Sequence, residues 1–246
     1  RRDLDRGRPE SPSSLQLLTL AGLDALVSPV ITSRRNPLVR RLRALSRREG
    51  RDLEQILLLE GTHLLEEALQ TTPPKLSLIA TEPWIERHPA LLSRLPNGTS
   101  IQPVSQEVLS AALSTVSPDG VASLLPLSQL PASPSEPNFL LVLDRIQDPG
   151  NLGTLLRTAL AADVEAVWLG SGVDPLGTKT LRASAGALLQ LPHQRFGPDA
   201  AAALDRLETM LKQRAAAGMQ VVASLVPDAA GPLQVVPYWT LNWTWP

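Results

Sequence analysis

The chain has 246 residues, 43% of them hydrophobic, which is enough to build a real core in one large domain or two small ones. A formal net charge of −1 means that no whole-chain basic excess announces a nucleic-acid partner, so any polyanion site must come from local clustering. The absence of cysteine excludes a disulfide scaffold, a thiolate metal site and a thiol nucleophile, and fits a reducing, cytoplasmic compartment; no apolar run approaches the length of a bilayer span.

Residues 1–30 join Arg, Pro and Ser to an apolar patch over 15–30 that Asp24 and Pro29 interrupt. Arginines ahead of leucines faintly resemble a signal peptide, but Asp24 breaks the run and no clear small-residue cleavage site follows. A mobile leader with a short helix is expected. Residues 34–51 then hold eight arginines, Arg34, Arg35, Arg40, Arg41, Arg43, Arg47, Arg48 and Arg51, with Glu49 the only acid. Leu38, Leu42 and Leu45 form an apolar stripe, which predicts a helix lying on a core with a basic outer face. A charge run is ordinarily just a solvated face; near-uniform sign and the planar fork of arginine favour phosphate contacts instead.

From Ile56 the pattern alternates. Strands are predicted at 56–60, 76–80, 101–104 and 121–127, with helices at 63–70, 85–95 and 108–113, which makes a small α/β sandwich. His63 falls in the first turn of its helix, and no histidine or carboxylate has metal-ligand spacing. Residues 128–137, with three prolines, serines and little apolar content, read as a semi-extended spacer.

The most informative stretch is 138–160. Residues 139–143 form an apolar run too short for a helix, bounded by Pro137 and Asp144, and read as a strand buried on both faces. Asp148-Pro149-Gly150 makes the turn, and Leu152, Leu155, Leu156, Ala159 and Leu160 then recur at helical spacing. Asn151, Thr154 and Thr158 lie three and four apart on one side of that helix, and Arg157 stands one turn beyond Gly153. Ligands of doubly wound sheets bind at strand carboxyl ends, where a helix N-terminus offers free N–H groups to an anion. An arginine nearby adds a phosphate clamp. From spacing alone, a capping Asn151 and a solvated Arg157 explain the pattern as well.

A second buried strand is predicted at 164–170, then a helix at 178–189 whose Ser184 and Gly186 permit close packing. Gly170-Ser171-Gly172 lacks the third glycine of a dinucleotide fingerprint and opens a proline-containing loop, which argues against a nicotinamide enzyme. A long amphipathic helix spans 199–217 and stops at Gly218, and a strand is expected at 219–225. Trp239, Trp243 and Trp245 near the end offer base-stacking surfaces, but a spacer ahead of a further strand is the preferred reading.

Asn151-x-Gly153-x-x-x-Arg157 behind the Asp144…Asp148-Pro149-Gly150 turn resembles the first motif of the SpoU-type (TrmH-like) RNA ribose 2′-O-methyltransferases of the SPOUT class. The block Lys179-Thr180-Leu181-Arg182-Ala183-Ser184-Ala185-Gly186-Ala187, followed by Leu191-Pro192, is similar to the segment after the family's second strand. The blocks are in order and about 30 residues apart, as a βαβ unit requires. Ser33-Arg34-Arg35-Asn36-Pro37-Leu38-Val39, Leu59-Glu60-Gly61 and Ser117-Pro118-Asp119-Gly120-Val121 resemble the family's N-terminal substrate-binding module.

The resemblance implies an α/β protein. Its parts are a leader (1–30), a small α/β RNA-binding domain (31–127), a linker (128–137) and a mostly parallel-sheet, SPOUT-like catalytic domain of the trefoil-knot class (138–246). It implies S-adenosylmethionine as methyl donor, rRNA or tRNA as substrate, a homodimer for complete members, and no metal. Asn151 and Arg157 would be catalytic; Arg34, Arg35, Asn36, Arg40, Arg41 and Arg51 would bind RNA. Family members continue with an Asn-Glu-x-x-Gly turn, an Ile-Pro segment and a Ser-Leu-Asn helix, which thread the knot, form most of the donor pocket and add much of the dimer interface. None of these motifs occurs here, so a chain truncated before the knot, lacking part of the pocket, is expected. Ala223, Ser224 and Leu225, at the end of a predicted strand, are the remaining place for the donor's edge. The alternatives are a non-catalytic RNA-binding protein and, more distantly, a nucleotide-dependent enzyme of generic doubly wound type.

Overall fold

The structure, a computed structural model, describes residues 29–71, 75–197, 199–224 and 235–244. The leader reading falls almost wholly outside these residues, as do Leu225 and Trp245. No helix among the described residues is long and apolar enough to cross a membrane.

The arginine-rich segment forms two helices rather than one. Asn36 caps α1 (Pro37–Leu45) by accepting from the Leu38 N–H at 2.9 Å, with Pro37 at the first helical position. Val39, Leu42 and Leu45 are buried. The chain leaves the helix at Ser46 and resumes in α2 (Arg48–Glu54), which folds back closely; a Cβ on Gly50 would stand 2.2 Å from the Ala44 carbonyl oxygen. A stripe of Leu38, Leu42 and Leu45 carries no signal for such a break.

A four-stranded sheet follows, built from β1 (Ile56–Glu60), β2 (Ser77–Ala80), β3 (Ser100–Pro103) and β4 (Val121–Pro126) in the order β1-β4-β2-β3. Strand β4 is antiparallel to both neighbours, and β2 and β3 are parallel. Period-two alternation sends Leu58, Ile79 and Ala122 to one face, under α1 and α6 (Gln106–Ala112), and Leu78 and Val121 to the other. That second face is covered by α3 (Thr62–Ala68), α4 (Glu82–Arg87) and α5 (Pro89–Leu92), with Trp84 fully buried. The helix predicted at 85–95 is broken between α4 and α5 at His88 (φ −124°), because Pro89 disfavours helical backbone in the residue before it.

The second sheet is wholly parallel, β5 (Leu140–Leu143), β6 (Ala166–Leu169) and β7 (His193–Arg195) in that order. Helix α7 (Pro149–Ala161) and the segment after α8 (Thr178–Ala183) cover one face, through Leu152, Leu156, Ala159, Leu188 and Leu191. Helix α9 (Ala200–Ala216) covers the other, setting Ala203 and Leu207 on Trp168 and Phe196.

Three expectations fail here. Strand β5 is not buried on both faces: its four residues are half-buried and Phe139 is 49% exposed, because β5 is an edge strand paired only with β6 among the described residues. The helix predicted at 178–189 ends after Ala183, as Ala185 (φ 50°) and Gly186 (φ 76°) turn the chain into a short 3-10 segment. Residues 219–224 form no strand. Conversely β7 was not foreseen, since His-Gln-Arg has no apolar signature.

The carboxyl ends of β5 and β6 are tied together by Asp144. Its carboxylate accepts from the Ser171 N–H at 3.0 Å, the Ser171 hydroxyl at 3.1 Å and Arg145 Nε at 3.0 Å. Burial opposes its ionisation and is outweighed by these hydrogen bonds, so the carboxyl is held below its ordinary value of 3.8. Arg145 takes a left-handed conformation (φ 55°) and donates its N–H to the Ser171 carbonyl, while Ile146 bridges to Gly172. The glycines are needed for contact: a Cβ at Gly170 would lie 2.3 Å from Asp144 Oδ1 and one at Gly172 2.4 Å from the Ile146 carbonyl. Gly170-Ser171-Gly172 thus closes two loops on each other.

Helix α7 is seated with equal tightness. A Cβ on Gly153 would stand 2.4 Å from the Ala183 Cβ and 2.6 Å from its carbonyl carbon. Gly153→Ala is therefore expected to destabilise the protein by about 1–3 kcal/mol in denaturant titrations, the cost of overpacking. For Asp144, a depressed carboxyl pKa contributes stability above the unfolded value near 3.8 and loses it as pH falls through the lower folded value. Asp144→Asn should destabilise at neutral pH, with the gap to wild type closing as pH drops below about 3.8 in acid-unfolding titrations.

Candidate active site and nucleic-acid interface

Helix α7 starts where β5 ends. Asp148 caps it by accepting from the Asn151 N–H at 2.8 Å, and Pro149 occupies the first helical position. Leu152, Gly153, Leu156 and Ala159 face inward, which leaves Asn151, Thr154, Arg157 and Thr158 exposed. Thr154 turns its hydroxyl back to the Gly150 carbonyl at 3.0 Å. The Arg157 side chain forms no hydrogen bond or ion pair with the described residues. At four residues beyond Gly153 it stands at the rim of the contact between α7 and α8, and helical side chains lean toward the N-terminus, here toward the strand tips. The cap at this turn belongs to Asp148, so the side-chain amide of Asn151 is not spent on capping.

The expected RNA-contacting residues divide. Arg34, Arg35, Arg40 and Arg41 are exposed on or beside α1, although Arg41 is paired with Glu54 at 2.7 Å. Asn36 uses its side-chain oxygen as the α1 cap. Arg51 is not on the basic outer face: it is 2% exposed, donates to the Leu45 and Ser46 carbonyls at 3.3 and 3.2 Å, and is paired with Asp174. The stripe of Leu38, Leu42 and Leu45 does not extend through the break after α1, so helical phase could not foretell that Arg51 points inward. His63 is exposed beside Glu66.

Arg195, at the end of β7, was missed by sequence reasoning. Its Nη2 donates to the Gly172 carbonyl at 3.3 Å, which places it beside the Asp144 loops. Burial lowers its pKa, repulsion from Arg48 adds to this, Asp174 and Asp52 oppose it, and Arg51 adds further repulsion. It remains a cation, in a junction where Arg48 and Arg51 already have carboxylate partners. The strand that carries it is three residues long, which hid its position at a strand tip.

The residues expected to hold the methyl donor are only partly described. Ala223 and Ser224 are exposed, outside any sheet, and Leu225 lies outside the described residues. Two cavities lie elsewhere: one of about 430 Å³ between Arg41, Ile56, Ser77 and Thr99, and one of about 360 Å³ between Phe196, Arg206 and Met210. Neither is lined by Asn151, Arg157, Ala223 or Ser224. No group of three or more metal-ligating side chains occurs among the described residues.

Comparison with known proteins bears on this geometry. Residues 138–232 match the SpoU rRNA Methylase family, and residues 36–123 match the MRM3-like substrate binding domain. The chain is 45% identical over 202 residues to an uncharacterized tRNA/rRNA methyltransferase of Synechocystis, covering 81% of this chain and 70% of that protein. It is 30% identical over 210 residues to the 23S rRNA (guanosine(2553)-2'-O)-methyltransferase RlmP of Bacillus subtilis, covering 84% and 77%. Among solved structures, an AdoMet-bound rRNA methyltransferase from Sinorhizobium meliloti has a TM-score of 0.62 at 30% identity, covering 82% of this chain and 73% of its own. With most of its length matched to these proteins at 30–45% identity, the chain belongs to the SpoU rRNA methylase family.

Proposed function

We propose that this protein methylates RNA, transferring a methyl group from adenosylmethionine to a ribose 2′-hydroxyl of ribosomal or transfer RNA. The observation that carries the reading is the open sector of α7, where Asn151 and Arg157 stand in solvent beside tightly closed loops. Residues 31–127 would hold the substrate, and residues 138–246 would carry the transfer chemistry. Arg34, Arg35, Arg40 and Arg41 supply sequence-independent phosphate contacts. Arg51 drops out of that set because it is buried.

Arg157 stays protonated at neutral pH and is a poor general base. Its contribution is to grip the target phosphate with two parallel N–H groups and to stabilise the oxygen's developing negative charge as the 2′-hydroxyl gives up its proton to solvent water. Asn151, with a donor and an acceptor on one planar group, orients the ribose. No metal ion is required for a displacement in which alignment of the reacting atoms is the main task.

The test is transfer of a labelled methyl group to total RNA. Arg157→Ala should lower transfer by about 100-fold or more while RNA affinity stays within about twofold. RNA binding by wild-type protein without any transfer would leave only a binding protein. Replacing Arg40 and Arg41 together by Ala should weaken RNA binding and reduce the slope of log K against log salt by about 1.4–1.8, the loss of two phosphate contacts. Fluorescence titrations at several salt concentrations measure it.

A further inference from the structure

A proline-rich spacer leads one to expect two modules free to turn against each other, yet their junction is closed by both apolar and charged contacts. Leu57, Leu59, Leu64, Ala68 and Leu125 of the four-stranded unit form one cluster with Leu181 and Leu189 of the three-stranded unit. Gly186, at φ 76°, turns beneath α3, where an added Cβ would meet Glu67 Cβ at 3.1 Å and Leu64 Cδ2 at 3.3 Å.

The polar contacts are more directional. The Glu60 side chain is 1% exposed at the end of β1. It accepts from the Ser114 N–H at 2.9 Å, the Ser114 hydroxyl at 3.0 Å, the Thr115 N–H at 3.1 Å and the Thr115 hydroxyl at 2.6 Å. These donors belong to its own unit. A fifth comes from across the junction: Arg182 Nη1 donates to Glu60 Oε2 at 2.8 Å and lies within 3.2 and 3.0 Å of the Ser114 and Thr115 hydroxyls. Thr178, on the same helix α8, reaches the Ser114 hydroxyl at 2.9 Å. Arg51 and Asp174 form a second cross-junction pair. Apolar contact alone is non-directional, whereas a desolvated carboxylate with its donors fixed in place accepts one geometry.

Helix α8 passes this geometry on, because Ala183 fills the space that Gly153 leaves open on α7. Arg157 stands on the rim of that contact. We propose that Glu60 and Arg182 are positioning residues: by locking α8 against the end of β1 they fix the distance between the basic helix α1 and Arg157, so that RNA held at one presents its ribose at the other. This rests on the proposed RNA methylation.

The test takes advantage of a chain without cysteine. Two cysteines introduced at the exposed positions Ser110 and Ala161, one in each unit, carry spin labels for dipolar distance measurement. The otherwise wild-type protein should give one narrow distance peak. Arg182→Met should broaden it, and Arg182→Lys should restore it, since three N–H groups on one nitrogen suit the three oxygens around Nη1. Glu60→Gln keeps the side-chain shape and should broaden the peak even if Arg182→Met fails to fold. With RNA affinity kept within about threefold, kcat at saturating RNA should fall by up to about 100-fold in the broadened variants, as misplacement of reacting groups predicts, with KM little changed. A peak as narrow in Glu60→Gln and Arg182→Met as in the parent overturns the proposal, as does a broadened peak with unchanged kcat. A narrow parent peak without methyl transfer counts against the proposed function and leaves the lock to be judged by distances alone.

Discussion

A carboxylate stripped of water at the end of β1 has to be answered by donors, and the way it is answered ties the molecule together. Burying an unpaired ion costs far more than a domain of this size can spare, so Glu60 draws the loop after α6 and the guanidinium of α8 onto itself. Arg51 is the mirror case, a buried cation answered by two carbonyls and Asp174. In both pairs the buried member belongs to the four-stranded unit and the more exposed member to the three-stranded one. Such pairs add little net stability compared with apolar packing, but breaking one leaves an uncompensated charge. They select an arrangement.

The near-neutral composition of the chain conceals a marked separation of charge. The arginines of the first helices split into an outward set beside α1, a half-exposed Arg48 paired with Asp52, and the inward Arg51. Arg195 approaches the same junction from the other unit and is less basic for it, through burial and then the field of Arg48. Cations from both units therefore meet at the junction, where Asp52 and Asp174 partly offset them.

Much of the fold was legible, because the apolar periods are clean. The alternation of Leu57, Leu58 and Leu59 divides them between two cores as a period of two demands, and Leu152, Leu156 and Ala159 mark the inner side of α7. What was hidden depends on neighbours distant in sequence. Strand β7 is polar and exists because β6 offers it a ladder. The break after α8 comes where Gly186 meets α3, and an arginine that turns inward looks like its solvated neighbours until Asp174 is placed. The glycine bend pointed to Asn151 and Arg157, which are exposed on one sector of α7, whereas no pattern pointed to Arg195 beside the Asp144 loops. Ala223 and Ser224 lie exposed in a segment, 219–224, whose apolar run predicts a strand but which pairs with no sheet among the described residues.

The junction pairs join residues 122 and 123 positions apart. During synthesis the four-stranded unit leaves the ribosome well before α8 exists, with Glu60 and Arg51 lacking their distant partners. At about 5–20 residues per second, several seconds pass before Asp174 and Arg182 emerge. Contacts of such high sequence separation slow folding, and a nascent chain that waits with its inner leucines uncovered is a natural client for chaperones. The same lock that settles the mature arrangement can thus close only late in synthesis.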